Sequence, residues 1–191
     1  MGLKKSMMEI ISHLAINCIK YKTLNDLKGM TFTVDTFIFI YKGILGHRDH
    51  NNGSDKHNIR GEIVTHLEYI FDRIIQLHKH NIINLWVFDG KAPTIKRDEL
   101  RKRRKEKRRL QEEYENSPDF NPDKPTHKKN FTINSVILKN LYRMLELMGV
   151  QYVRANDGIE ADNLGSKLNQ SSIVEGIITE DWDALPFGCN N

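Results

Sequence analysis

Six carboxylates in this chain stand where chemistry could use them. Asp35 closes the β-prone run 31–34, and Asp89 closes the apolar run 85–88. Glu160 and Asp162 open an amphipathic stretch, and Asp181 and Asp183 follow the apolar residues 176–179. Acids gathered at one edge of a sheet repel one another unless a cation neutralises them. Hard divalent ions bound by oxygen ligands fit such a donor set. Two of them roughly 4 Å apart form the arrangement that activates water and stabilises the leaving oxygen of a phosphodiester. Taken singly, each acid is better read as a helix cap or a solvated loop residue. Repetition at four segment ends favours a common site.

A second chemistry-bearing group follows Asp89 directly. From Lys96 to Arg109, ten Lys or Arg stand against three acids, a net of +7 in a chain whose formal charge is +4. Charge segregated onto one element points to a polyanionic partner, with nucleic acid the leading candidate. The blander readings are a salt-bridged, solvated face or a nuclear-import-like patch. Three acids cannot pair with ten cations, so phosphate contact is favoured. Lys96 and Arg103, seven apart, share one helix face over two turns and could face one phosphate track.

These residues need elements to hold them. The pattern predicts a helix over 37–45, a 3.6-period helix over 62–80, the basic helix to about Tyr114, and helices over 135–148 and 159–168. Strands are expected at 31–34, 85–88, 150–153 and 176–179. Gly149 sits where a helix C-terminal cap belongs. The segment 2–20 reads as amphipathic, and 47–58 as a polar loop. The segment 116–130, with three of the five prolines, reads as a loop too. Strands alternating with helices imply a parallel sheet, with ligands beyond the carboxyl ends of the strands. Glu160 and Asp162 lie about 200° apart on a helix and converge only if Glu160 is at the first turn, with Gly158 freeing the backbone. Asp181 and Asp183, in an extended segment, would point the same way.

At 191 residues and 22.3 kDa, the chain is the size of one domain, 1–191. Cys18 and Cys189 show no metal-type spacing and suggest no disulfide framework. No run approaches the ~18 apolar residues of a membrane span, and the N-terminus lacks the features of a signal peptide. Met1-Gly2 with Ser6 formally fits the short myristoylation pattern. His47, His50, His57, His78 and His80 pair with no cysteine and read as surface residues.

The stretches VFDGKAPTIKRDELRKRRKEKRR, GIEADNLGSKL and ITEDWDALPFG resemble motifs of the flap endonucleases and XPG-type 5′ nucleases. VDTFIFIYK resembles that family's first acidic motif, and MGLKK its N-terminal start. The resemblance covers essentially the whole chain. It implies an α/β fold with a central parallel sheet flanked by helices, a PIN-like nuclease fold, and a helical arch over about 91–133. It also implies that Asp35, Asp89, Glu160, Asp162, Asp181 and Asp183 hold two Mg²⁺ ions, with Mn²⁺ as a substitute. Lys96 and Arg103 would contact the scissile phosphate, and Tyr41 would stack on a base beside the cleaved bond. Gly2 would lie near the active site, and Arg97, Arg101, Arg104 and Lys107 would join Lys96 and Arg103 in holding nucleic acid. Asp162 stands where many relatives carry Glu. The family's further metal-site Asp and duplex-gripping element lie beyond the stretch matched here, so the duplex-binding part is expected to be absent.

The resulting expectation is a Mg²⁺-dependent, structure-specific 5′ nuclease. It would act on DNA with a 5′ single-stranded flap or junction, without a membrane partner, inside the cell at sites of replication or repair. The alternative is a truncated or catalytically impaired relative that binds DNA and keeps the fold. An unrelated phosphatase-like enzyme would leave the basic helix unexplained.

Overall fold

Apolar and β-branched runs form four strands: β1 (Thr31–Asp35), β2 (Ile83–Phe88), β3 (Tyr152–Arg154) and β4 (Gly176–Ile178). They pair in parallel in the order β3-β2-β1-β4. The computed structural model describes residues 20–46, 55–92, 94–117 and 133–189. The amphipathic segment's residues 2–19, with Gly2, lie outside the described residues, as do His47, His50 and most of the segment 116–130. Five α-helices lie among the described residues: α1 (Thr36–Gly46), α2 (Thr65–Lys79), α3 (Thr94–Glu115), α4 (Ser135–Leu147) and α5 (Ala161–Gln170).

Side chains alternate across a strand, and that decides which residues meet which helices. Val34, Trp86 and Phe88 turn to one face and pack with Ile40, Ile44, Ile70, Ile74, Ile137 and Leu141 of α1, α2 and α4. Thr33 turns to the other face, where α5 lies so close that a Cβ on Gly165 would meet Thr33 Oγ1 at 2.9 Å. Asp35, two residues on from Thr33, shares that face. Its ladder partner Val87 places Asp89 there as well. The strand order switches direction at β1: β2 and β3 lie on one side, and β4 returns on the other. Ligand crevices of parallel sheets open at such a switch point.

Several element bounds differ from the sequence expectation, each for a local reason. β3 starts at Tyr152 because the Val150 N–H is taken by the Leu145 carbonyl at 2.9 Å, closing the end of α4. Gly149 adopts φ 67° there. α2 starts at Thr65 because 57 and 63 form an antiparallel bridge and the Val64 N–H bonds to the Lys56 carbonyl. α5 starts at Ala161 because Glu160 is its extended cap, with ψ 159°. Residues 182–184, expected extended, turn into a short 3₁₀ helix, so 181 and 183 do not share one side of a strand. His66 is fully buried, and burial pulls its imidazole down to about 4, leaving it neutral.

Candidate active site

Asp35 is the last residue of β1 and caps α1. Its Oδ1 accepts the Phe37 N–H at 3.1 Å, and its Oδ2 accepts the Thr179 hydroxyl at 3.4 Å. The carboxyl is only 8% exposed. Burial first, and then the Asp89 charge, push it up to about 6. Asp89 leaves the end of β2 and reaches α5, where Oδ1 accepts the Ala161 N–H at 2.7 Å. Burial raises it most and the Glu160 charge adds to this, while the Ala161 amide and Lys96 pull the other way. Each carboxylate therefore sits at a helix N-terminus, where orphan N–H groups and the dipole favour negative charge.

Glu160 caps α5, and the Lys96 ammonium meets both of its oxygens, at 2.7 and 2.9 Å. Gly158, at φ 88°, turns the chain just ahead of it. The turn after β2 is equally constrained. The Gly90 N–H bonds to the Ile159 carbonyl at 3.0 Å, and a Cβ on Gly90 would lie 2.0 Å from the Asn156 oxygen. Only glycine lets these two backbones close on each other. That closure carries Asp89 to α5.

On the far side of β1, Asp181 is exposed, and its N–H donates to Thr179 Oγ1 at 3.1 Å. Thr179 thus links the two acids, a role no sequence pattern singled out. Asp162 is half-buried in the first turn of α5. Lys42 of α1 pairs with Glu180 and ties that helix to the exit of β4. Tyr41 is 41% exposed and lines a shallow apolar recess with Ile38 and Leu45. Burial, and then the Asp89 charge, raise its phenol, which places the ring within the field of the carboxylates.

The structure thus gathers Asp35, Asp89, Glu160 and Lys96, with Thr179 and Asp181 adjoining. The backbones of Arg97, Arg103, Arg104, Lys107 and Asp183 follow α3 and the 3₁₀ turn, while their side chains lie outside the described residues. Arg101 is exposed on α3, 3.6 Å from Asp98. Among the described residues, no three acid, histidine or cysteine side chains close into a metal-ligand cluster. The donor set nevertheless fits a hard cation. Burial, with the neighbouring Asp89 and Glu160 charges, raises Asp35 and Asp89 respectively, and an ammonium already answers the Glu160 charge.

Solved structures share this fold. The catalytic core of Rad2 in complex with DNA substrate matches at TM-score 0.65 and 27% identity, over 94% of this chain and 48% of that one. Flap endonuclease-1 from Methanococcus jannaschii, at 23% identity and TM-score 0.61, shares the fold over 87% of this chain and 53% of its own. The domain is a PIN-like nuclease fold. Flap endonuclease 1 of Xenopus tropicalis is 32% identical over 183 residues, covering 94% of this chain and 47% of the relative. That of Leishmania braziliensis is 28% identical over 177 residues, covering 90% and 44%. The chain spans about half the length of the curated relatives it matches. The XPG N-terminal domain model matches residues 1–110, and the XPG I-region model matches 149–191. The chain belongs to the flap endonuclease and XPG-type family.

Proposed function

We propose that this chain is a divalent-metal-dependent, structure-specific 5′ nuclease that hydrolyses DNA phosphodiesters near a junction between a duplex and a 5′ single strand. The observation that carries the reading is the convergence of Asp35, Asp89 and Glu160, with Lys96, at the switch point of a sheet whose relatives are flap endonucleases. The acids that would hold two Mg²⁺ ions, or Mn²⁺ in their place, are Asp35, Asp89, Glu160, Asp162, Asp181 and Asp183. When bound, such ions supply a lowered water pKa and charge neutralisation at the phosphate.

The chain's own groups do the rest. Asp35 and Asp89, fixed by amide donors, offer oxygens that need no reorganisation when a cation or substrate arrives. Lys96 stands 2.7 Å from Glu160, so the ammonium is already at the rim of the carboxylates, where a phosphate would take it up. Arg103 follows seven residues along the same helix and would reach the same phosphate track. Arg97, Arg101, Arg104 and Lys107 would guide the strand, Tyr41 would stack on a neighbouring base, and Gly2 would approach from the N-terminus. Contacts to phosphate and base faces carry no sequence readout. The segment 91–133 would form the arch around the strand, and the protein would act where DNA is replicated or repaired. Among the described residues, no helix is long and apolar enough to cross a membrane.

Incubation with a labelled 5′-flap duplex and Mg²⁺ tests this. Cleavage near the junction is expected, with Asp89→Ala and Asp181→Ala each slower by roughly 10²–10³-fold, the size of losing one preorganised charge-stabilising group. Variants that cut as well as the parent would overturn the assignment. Metal-independent binding of the flap without any cleavage would favour the DNA-binding alternative.

A further inference from the structure

A groove of about 800 Å³ opens from Asp89 and Gly90 on the β2–β3 side of the molecule. Its walls carry four cations: Arg60 ahead of α2, Lys139 and Arg143 on α4, and Arg154 at the end of β3. All four are exposed. Lys139 and Arg143 are four apart and share one face of their helix. The Arg154 Nε–H reaches the Asp89 carbonyl at 3.4 Å, so one cation is anchored at the carboxylate end.

Acids in the same groove are already occupied. Glu62 accepts from the Asn58 amide at 2.8 Å and the Asn140 amide at 3.5 Å. Glu146 accepts the Tyr152 hydroxyl at 3.0 Å and lies 3.6 Å from Arg143. Among the described residues, Arg60, Lys139 and Arg154 form no ion pair. An aromatic ring also lines the groove: Tyr142, held by Phe88 at 4.5 Å and by Tyr152 at 5.1 Å between ring centres. A cationic groove with a fixed aromatic face is the build that binds an unpaired strand, phosphates on the cations and a base on the ring. A duplex keeps its base faces stacked inside and has no use for the ring.

We propose that this groove holds the single strand of the DNA substrate where it passes the carboxylates, its phosphates on Arg60, Lys139, Arg143 and Arg154 and a base against Tyr142. The proposal rests on the nuclease reading for its substrate, while the binding it describes can be measured separately.

The test uses labelled oligothymidine, with EDTA present, and fluorescence anisotropy over a series of salt concentrations. The double variant Lys139→Glu/Arg143→Glu is compared with Lys28→Glu/Lys79→Glu, an equal charge change at the amino-terminal ends of β1 and β2, after circular dichroism shows both folded. Each neutralised phosphate of a single strand contributes about 0.7 to the salt slope. The groove variant is therefore expected to lose about 1.4 in slope and at least about tenfold in affinity at low salt, the control far less. On cleavage, the groove variant slows on a long 5′ flap while retaining its rate on a substrate with a one-nucleotide overhang. Equal weakening of both double variants, an unchanged slope, or a parent that does not bind oligothymidine would overturn the proposal. Groove-dependent binding by a protein that cuts nothing would sink the nuclease reading and leave this one standing.

Discussion

On the β2–α5 side of the carboxylate site, Asp89 is half-buried and grips the first amide of α5. The turn behind it admits only glycine, and Lys96 closes on Glu160. On the β4 side, Asp181 is exposed, its strand is three residues long, and its N–H donates to the hydroxyl of Thr179. Asp35 stands between them, touching both walls through Thr179 and the Asp89 field. The first wall is part of the folded framework; the second is laid onto it. Substitutions on the first should therefore disturb folding and catalysis together, and on the second catalysis alone.

The largest stability effect expected from this contrast is at Gly90. A methyl there meets the Asn156 carbonyl at 2.0 Å, backbone against backbone, and something must move. Gly90→Ala should cost about 3 kcal/mol in denaturant unfolding. A variant with the parent's midpoint would mean that the closure of β2 on the 155–159 loop is not what sets Asp89.

Asp35 comes next. Its carboxyl is raised from 3.8 to about 6. Below about pH 4 it is protonated in folded and unfolded chains alike. Between about pH 4 and 6 the unfolded chain gives up its proton first, so metal-free stability falls as pH rises, levelling above about 6 after a loss of up to ~3 kcal/mol. Asp35→Asn should remove that decline and melt higher than the parent at neutral pH in EDTA. Added Mg²⁺ should raise the parent's melting temperature and not the variant's. Parallel melting curves for the two proteins from pH 4 to 7 would show that the buried charge is compensated in some other way.

The smallest effect separates the walls most sharply. Asp89→Asn keeps an oxygen for the Ala161 N–H, whereas Asp89→Ala leaves that helix end bare, so alanine should melt below asparagine by about 1 kcal/mol. Asp181→Ala and Asp181→Asn should melt alike, because that side chain is exposed. Both pairs should cut more slowly by roughly 10²–10³-fold. A gap at 181 as large as at 89 would erase the distinction drawn between the walls.

Much of this was readable before any coordinates. An Asp directly after a buried apolar run is legible because few other arrangements let a charge follow a core strand, and Asp35 and Asp89 both stand so. The neighbour of β1 was not legible. Nothing in residues 161–178 states that α5 crosses to the second face and returns β4 beside β1, so Thr179 went unnoticed as the link between Asp35 and Asp181. The 3₁₀ turn at 182–184 is not legible, because a two-residue spacing of acids looks the same in a strand and in a turn. Lys139 and Arg143 lie exposed on a helix that the sequence marks only as amphipathic. That this face borders a groove leading from Asp89 depends on where α4 docks. His66 is not singled out by the sequence reading, although it lies four residues before Ile70 and is buried.

The strand order carries a consequence for how the molecule comes into being. The hydroxyl that bridges to Asp35 arrives 144 residues later in the chain. A ribosome makes β1, β2 and β3 first, and these can pair as they emerge, leaving one edge of β1 bare until residues 176–178 are delivered. Long-range parallel pairing is slow, and a bare edge invites other strands. The nascent chain thus carries Asp35 and Asp89 well before the wall that adjoins them is made. The candidate site is not assembled until β4 and Thr179 are delivered, and the edge of β1 stays open to mispairing until then.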